Sequence, residues 1–495
     1  MKPVRAMPPW LILPTLVTGG TVAACGVGML VAAIVGLVGD EREILALGVP
    51  GLGALALGAV TMQVAGGWAS PGLTIRPTSG FAAVTLAWMA AAAIGAVPLL
   101  AAGTLSSPLD AYFEAMSGFT TTGATLIGDI EAQPDGVLMW RSMTQWLGGV
   151  GIVVLVVAIA PVSGPGLQRA FYAEVSGVTA ERLTPRIVDT AKIIAAIYLA
   201  LSAAAVVAYL VAGMGAFDAV AHMFTTLATG GFSPRNDSIA AFDSVAIELV
   251  VIVFMTLAAV NFAFYWRAIR GDPLRPQLAE VRAFLLILVV ATGAVTVSLL
   301  VADDVAGVAE AARQAAFSVT SITTTTGYTT ADFDGWNEFA RLGLLVLMFV
   351  GGCAGSTAGG MKVIRIVLLG RIAKQEVAHQ LQPSSVQVLR LGGRAFPEQV
   401  RAAVLGFGLV YLLIFLAGSF ALTMTGVDLA TAVSGTSATL NVIGPGLGDV
   451  GAVDNFTAVP AGARAVGIGL MLIGRLEVFT VVALLAALFQ LGRRA

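Results

Sequence analysis

The sequence predicts an all-α polytopic membrane protein: four parallel repeats of span, short helix, glycine loop and span, plus an extra N-terminal helix pair. Three observations predict it. First, the 495 residues are 57% hydrophobic and 11% charged, against about 25% charged in a soluble domain. Second, apolar runs such as LLILVVATGAVTVSLLVA (285–302) and RLGLLVLMFV (341–350) recur from end to end. A spanning helix needs about 20 mostly apolar residues, and at least about ten segments qualify. Third, four short polar segments between the runs resemble one another.

The N-terminal pair comes first, over 1–74, with spans near 10–38 and 45–70. The apolar run from Leu11 to Val38 is longer than a signal-peptide core of about 7–15 residues, so it reads as an uncleaved span. Cys25 and Cys353 sit in apolar or glycine-rich context without metal or redox spacing and read as small buried residues.

The repeats follow, over 75–165, 186–270, 279–375 and 396–495. Their polar segments are SGFTTTGAT (117–125), TTLATGGFS (225–233), TSITTTTGYTT (320–330) and TSATLNVIGPGLG (436–448). Each centres on a glycine: Gly123, Gly230, Gly327 and Gly444. Self-similarity at a long period marks a repeated architectural unit. Before each glycine lies a segment long enough for three or four helical turns but too short and polar to span. Two spans per unit return the chain to its starting side, so the units are parallel.

Charge sets the orientation. Most of the 27 basic residues lie between units or near the ends of the chain, which the positive-inside rule assigns to the cytoplasm along with both termini. The glycine loops then face outward. Their flanks carry acids, including Asp110, Asp237, Asp332 and Asp454, which raise the local cation concentration.

Irregular backbone at membrane depth survives only within protein or beside a water-filled path. Four such loops therefore imply a shared cavity, with four parallel units around a central pore. A ring of backbone carbonyls there replaces the hydration shell of a cation. Glycine supplies the backbone angles that this needs. Each short helix aims its negative C-terminal end at the ring. The candidate ligands are Thr121, Thr122 and Gly123; Thr229 and Gly230; Thr325, Thr326 and Gly327; and Val442, Ile443 and Gly444.

Taken with GGCAGSTAGGMKVIR (351–365), QWLGGVGIVVL (145–155) and GRLEVFT (474–480), these four loops resemble the TrkH type of the Trk/Ktr/HKT superfamily of potassium transporters. The resemblance covers nearly the whole chain, and the extra N-terminal pair favours the TrkH type. It implies pore helices, filter loops that bind K+, and potassium uptake across a bacterial inner membrane by a homodimer. It also implies a cytosolic ring of TrkA-type subunits that holds the regulatory nucleotide. Sodium-selective relatives often carry serine at the first filter glycine, and Gly123 is glycine. The second loop, ATGGF, and the fourth, NVIGPG, depart from a TVGYG-like filter. No nucleic-acid partner is expected.

The run 351–360 places Gly351, Gly352, Gly355, Gly359 and Gly360 within ten residues. Each costs about 1 kcal/mol in a helix, so a regular helix is not expected there. The resemblance implies an intramembrane gate beneath the filter. Arg475 falls about 16 Å into the last span, where a charge is costly and usually functional. The resemblance places it in the pathway below the filter. Glu477 does not share its helix face. Lys362 anchors the loop or marks the inner interface. His222 reads as a packing residue and His379 as solvated.

An enzyme needs clustered His, Cys or carboxylates inside the spans, and the chain has two His and two Cys. Alternating access fits parallel units and open loops poorly. A proton- or sodium-coupled symporter and a less selective monovalent cation pathway stay open beside potassium conduction. The basic stretches 169–192 and 362–401 are candidate docking surfaces for the regulatory ring.

Overall fold

The computed structural model describes residues 7–36, 41–68, 77–159, 187–383 and 388–478. Most of the 169–192 stretch and the end of the last span lie outside these residues, as do the basic residues nearest both chain ends. The described residues form α1 (Pro9–Val35), α2 (Glu41–Gly66), α3 (Pro77–Ala101), α4 (Pro108–Phe119), α5 (Asp135–Ile159), α6 (Ile187–Ala212), α7 (Ala216–Leu227), α8 (Val245–Ala258) and α9 (Phe262–Arg270). They continue with α10 (Arg275–Val301), α11 (Val308–Thr323), α12 (Glu338–Leu347), α13 (Val363–Leu381), α14 (Glu398–Thr423), α15 (Leu429–Leu440) and α16 (Ala461–Arg475). One small antiparallel ribbon, Arg390–Leu391 paired with Arg394–Ala395, departs from the all-α expectation. Gly392 and Gly393 turn it with positive φ.

Local chemistry sets the short helices. Pro108 occupies the first turn of α4, beside Asp110, where a missing N–H and a negative charge both suit the helix start. Asp428 caps α15 by accepting from the Thr431 N–H at 2.8 Å and from its hydroxyl at 2.8 Å. The Thr431 N–H and hydroxyl hold the Asp428 carboxyl below its ordinary range. Asn337 caps α12 through the N–H groups of Phe339 and Ala340.

Among the described residues, six helices are long and apolar enough to cross a membrane: α1, α2, α3, α6, α10 and α14. α5 has 25 residues, but its side chains beyond Gly151 are not described. The two spans expected after the second and third loops are broken. α8 and α9 meet at 86°, because Asn261 leaves the helical path and caps α9 with its own carboxamide, 2.8 Å from the Ala263 N–H. α12 stops at Leu347, and α13 does not begin until Val363. No glycine or proline marks the first break, so its sequence reads as one continuous span.

Apolar faces without protein partners, such as Leu286, Val289 and Val290 on α10, are exposed, as a lipid-facing helix requires. Between lipid-embedded helices, close packing replaces the hydrophobic drive. α1 and α2 pack through glycines: a Cβ on Gly26 would lie 2.6 Å from the Leu55 nitrogen, and one on Gly58 2.6 Å from the Ala23 nitrogen. Each short helix packs on its neighbours, α4 on α3 and α5, α7 on α5 and α6, α11 on α10, and α15 on α14 and α16. α16 also packs on α4, so the last unit returns to the first.

Candidate functional site: a ring of four glycine loops

Each loop is the C-terminal turn of a short helix, built with the same hydrogen bonds. The N–H groups of Thr122, Gly230, Thr326 and Ile443 reach back five residues to the carbonyls of Ser117, Thr225, Ser321 and Ala438, at 2.8, 2.8, 2.9 and 2.8 Å. The N–H groups of Thr121, Thr229, Thr325 and Val442 bond three residues back at 3.0, 3.0, 3.1 and 3.3 Å. This is the Schellman helix ending, which places a residue in the left-handed region. Here that residue is not glycine: φ is 57° at Thr121, 53° at Thr229, 56° at Thr325 and 52° at Val442. Such strain is of order 1–3 kcal/mol per residue and clusters at functional sites.

Two residues later the backbone again takes positive φ, at Gly123 (85°), Gly231 (77°), Gly327 (80°) and Gly444 (102°). The register of the second loop is thereby corrected. Its equivalent glycine is Gly231, and Gly230 stands level with Thr122, Thr326 and Ile443.

These positions close a ring. A Cβ on Gly123 would overlap the Gly230 carbonyl oxygen, one on Gly231 that of Thr326, and one on Gly327 that of Ile443. A Cβ on Gly444 would lie 2.7 Å from the Thr122 carbonyl oxygen. Each loop thus meets the next in chain order, and the fourth meets the first. Glycine is required at all four positions by both φ and space. Thr121, Thr122, Thr229, Thr325, Thr326, Val442 and Ile443 are fully buried.

One side of the ring opens into a cavity of about 320 Å³, lined by all four ring glycines and by Arg235, Asp237, Asp332 and Asp454. Struts behind the loops hold this rim. Glu114 on α4 pairs with Arg141 on α5 at 2.8 Å, both nearly inaccessible. Glu114 also accepts from the Leu126 N–H (2.7 Å) and Thr125 hydroxyl (2.9 Å), and Arg141 donates to the Ser233 carbonyl at 2.8 Å. This buried pair therefore ties the first loop to the second. Tyr328 carries its hydroxyl to Thr225 and Thr226 on α7, which ties the third loop to the second. His222 is buried with both ring nitrogens engaged, by the Asp218 carbonyl and the Ser233 hydroxyl, in the packing role expected of it.

Against the loops lies the glycine-rich segment 351–360. It seats in the break between α8 and α9, where the Cys353 N–H bonds the Ala259 carbonyl at 2.8 Å and the Phe262 N–H bonds the Gly355 carbonyl at 3.1 Å. The Gly359 N–H donates to the Thr325 hydroxyl at 2.7 Å. A Cβ on Gly359 would overlap Val442 and the Asn441 carbonyl. Gly351, Gly355 and Gly360 take positive φ, and Gly351 and Gly352 pack against Gly359 and Ala259 respectively. Lys362 folds back to the Ala358 carbonyl at 2.5 Å and so anchors this segment.

Arg475 joins the parts. Its guanidinium donates to the Thr121 hydroxyl at 3.1 Å, the Thr357 carbonyl at 2.9 Å and the Gly148 carbonyl at 2.8 Å. It therefore touches the first loop, the glycine-rich segment and α5 together. Glu477 pairs instead with Arg365.

A family model described as a cation transport protein, TrkH, matches residues 59–491. The chain belongs to the TrkH family. The chain is 42% identical over 421 residues to a Vibrio parahaemolyticus protein named Trk system potassium uptake protein TrkH, covering 84% of this chain and 86% of that one. The protein of the same name from Escherichia coli K12 is 39% identical over 419 residues, with the same shares covered. The crystal structure of the potassium transporter TrkH from Vibrio parahaemolyticus superposes with a TM-score of 0.86 at 37% identity, covering 96% of this chain and 98% of that one. This TrkH-family chain is thus a multi-pass membrane protein of a transport family and not an enzyme.

Three TrkH-chain residues at the site escaped the sequence. Gly231 was hidden by its twin Gly230. Gln145 bonds the second loop at 2.6 Å from 85 positions away. Thr357 donates to the Leu227 carbonyl at 3.0 Å, across 130 positions. No local pattern announces contacts of that separation, although the polar Gln145 inside an apolar run was a usable signal.

Proposed function

We propose that this chain takes potassium inward across the cytoplasmic membrane of a bacterium through the ring of four loops. The observation that carries the reading is the cyclic closure of the ring. The carbonyls of Thr122, Gly230, Thr326 and Ile443, one per loop, each lie against the glycine of a neighbouring loop, and carbonyl rings of this kind replace a cation's hydration shell. The helix ends behind them add negative potential. The four units 75–165, 186–270, 279–375 and 396–495 act as repeats around this path, and 1–74 is an accessory pair. The acids of the 320 Å³ cavity gather cations at the outer mouth. The names of the relatives, potassium uptake proteins of the Trk system, support potassium as the ion.

The segment 351–360 with Arg475 serves as the gate. Broken backbone of this kind recurs at membrane transport sites, and a guanidinium against the inner threonine of a loop opposes cation entry. Both termini lie in the cytoplasm by the positive-inside rule. There the basic stretches 169–192 and 362–401 dock a TrkA-type ring that binds the nucleotide, and the chain acts as a homodimer.

The test is flux in liposomes of the purified protein. Potassium or rubidium is expected to pass far better than sodium, and Gly123→Ser to erode that preference. Equal flux of both ions through the wild type contradicts the reading. Imposed proton or sodium gradients in the same assay separate conduction from coupled symport.

A further inference from the structure

The second loop departs from the other three at the residue before its ring glycine. Thr122, Thr326 and Ile443 each bury a side chain there. Thr122 pairs with the Thr120 hydroxyl at 2.8 Å, and Thr326 with the Thr324 hydroxyl at 2.8 Å, so both pack back onto their own helix ends. The second loop has Gly230. A Cβ on Gly230 would run into the carboxamide of Gln145. Gln145, itself fully buried, fills the volume that a loop side chain fills elsewhere.

Gln145 also makes hydrogen bonds that those side chains do not. Its Nε2 donates to the Gly230 carbonyl at 2.6 Å, and its Oε1 accepts from the Phe232 N–H at 3.1 Å. The two bonds bracket Gly231 and fix the peptide on either side of it. Two adjacent glycines otherwise have more backbone freedom than any other pair. One lone pair of the Gly230 carbonyl is engaged by Gln145 and the other is left for an ion. The support is built along one face of α5. Arg141, Gln145 and Gly149, at i, i+4 and i+8, follow the second loop from Ser233 through Gly230 to Ala228, where a Cβ on Gly149 would lie 2.9 Å from the Ala228 Cα.

We propose that Gln145 is a positioning residue that aims the Gly230 carbonyl and thereby sets how sharply the ring separates potassium from smaller cations. The inference rests on the cation path proposed above. An untethered Gly230–Gly231 pair turns its carbonyl freely, so the ring accepts a wider range of ion sizes.

The test is rubidium uptake into liposomes of the full-length protein, with potassium or sodium as competitor. Gln145→Ala is expected to lower the potassium-over-sodium preference about fivefold, the equivalent of one hydrogen bond, while uptake persists. Adding Gly230→Thr, which gives the second loop the Thr-Thr-Gly sequence of the first, is expected to restore the preference to within about twofold of wild type. Should Gln145→Ala fail to fold, Gln145→Glu decides: it keeps the acceptor for Phe232 and removes the donor to Gly230, and it too is expected to lower the preference. An unchanged preference in a transporting Gln145 variant overturns the proposal. So does a lowered preference that Gly230→Thr does not restore, since that outcome marks general packing damage. A wild type without any potassium preference instead sinks the cation-path reading.

Discussion

The four ring loops and the segment 351–360 both depend on glycine, yet they are held in different ways. Every ring loop is an extension of its own short helix, and its first two N–H groups are satisfied three and five residues back. Its glycine is needed because the next loop's carbonyl leaves no room for a Cβ. The segment 351–360 is held mostly from elsewhere. Besides local bonds such as Ser356 to Cys353 and Lys362 to Ala358, its bonds run to Ala259, Phe262, Leu227, Glu280, Thr325 and Arg475, all on other parts of the chain. A structure held locally keeps its shape when its surroundings shift. A structure held by bonds to distant parts of the chain can leave its place without unfolding its neighbours. On the proposed reading, the ring is the fixed site and the segment the movable one.

The largest effect is expected at the ring. Gly327→Ala places a methyl on the Ile443 carbonyl and requires positive φ of a residue that disfavours it. Rubidium uptake is expected to fall more than about tenfold, from strain of at least about 1.4 kcal/mol; uptake near the wild-type level would break the claim that this level of the ring is fixed. Next comes the segment. Arg475→Ala removes its tie to Thr357 as well as the bond to Thr121. Uptake by the chain alone is expected to rise roughly fivefold, as for the loss of about 1 kcal/mol of net hydrogen bonding. Unchanged flux in a well-expressed variant contradicts a gating role. The smallest effect tests local support far from the ion path. Asp428→Ala removes the cap of α15 and is expected to cost about 1 kcal/mol of stability without changing ion preference. Because the folded state lowers the Asp428 pKa, its contribution is present above the unfolded value of about 3.9 and lost as pH falls through the folded one. Thermal melting of wild type and variant at neutral and acid pH should therefore converge at the acid end.

Much of this contrast was legible in the sequence, for a physical reason. A glycine among threonines between apolar runs is conspicuous because neither residue type suits a lipid-facing helix, and Gly123, Gly327 and Gly444 carry the positive φ that a loop glycine allows. The second loop is shifted by one residue because ATGGF offers two glycines, and only the positive φ of Gly231 and the Thr326 carbonyl packed against it decide between them. The five glycines of 351–360 announced a broken helix, but not the pocket that receives it. That pocket is the bend at Asn261, where a carboxamide cap does the breaking and no glycine or proline gives warning. The sequence places Arg475 and Glu477 on different faces of one helix, but the helix ends at Arg475, and Glu477, at φ 51°, turns to Arg365. Thr121, Thr357 and Gly148, which the Arg475 guanidinium bonds, lie 118 to 354 positions away and had no local trace.

The most direct measurement is the anomalous signal of rubidium in crystals of the protein grown or soaked in that ion. A peak is expected within the ring, shared by the carbonyls of Thr122, Gly230, Thr326 and Ile443, and diminished in Gly123→Ser. Rubidium found elsewhere along a conducting protein, with no density at that level, would contradict a path through the four loops.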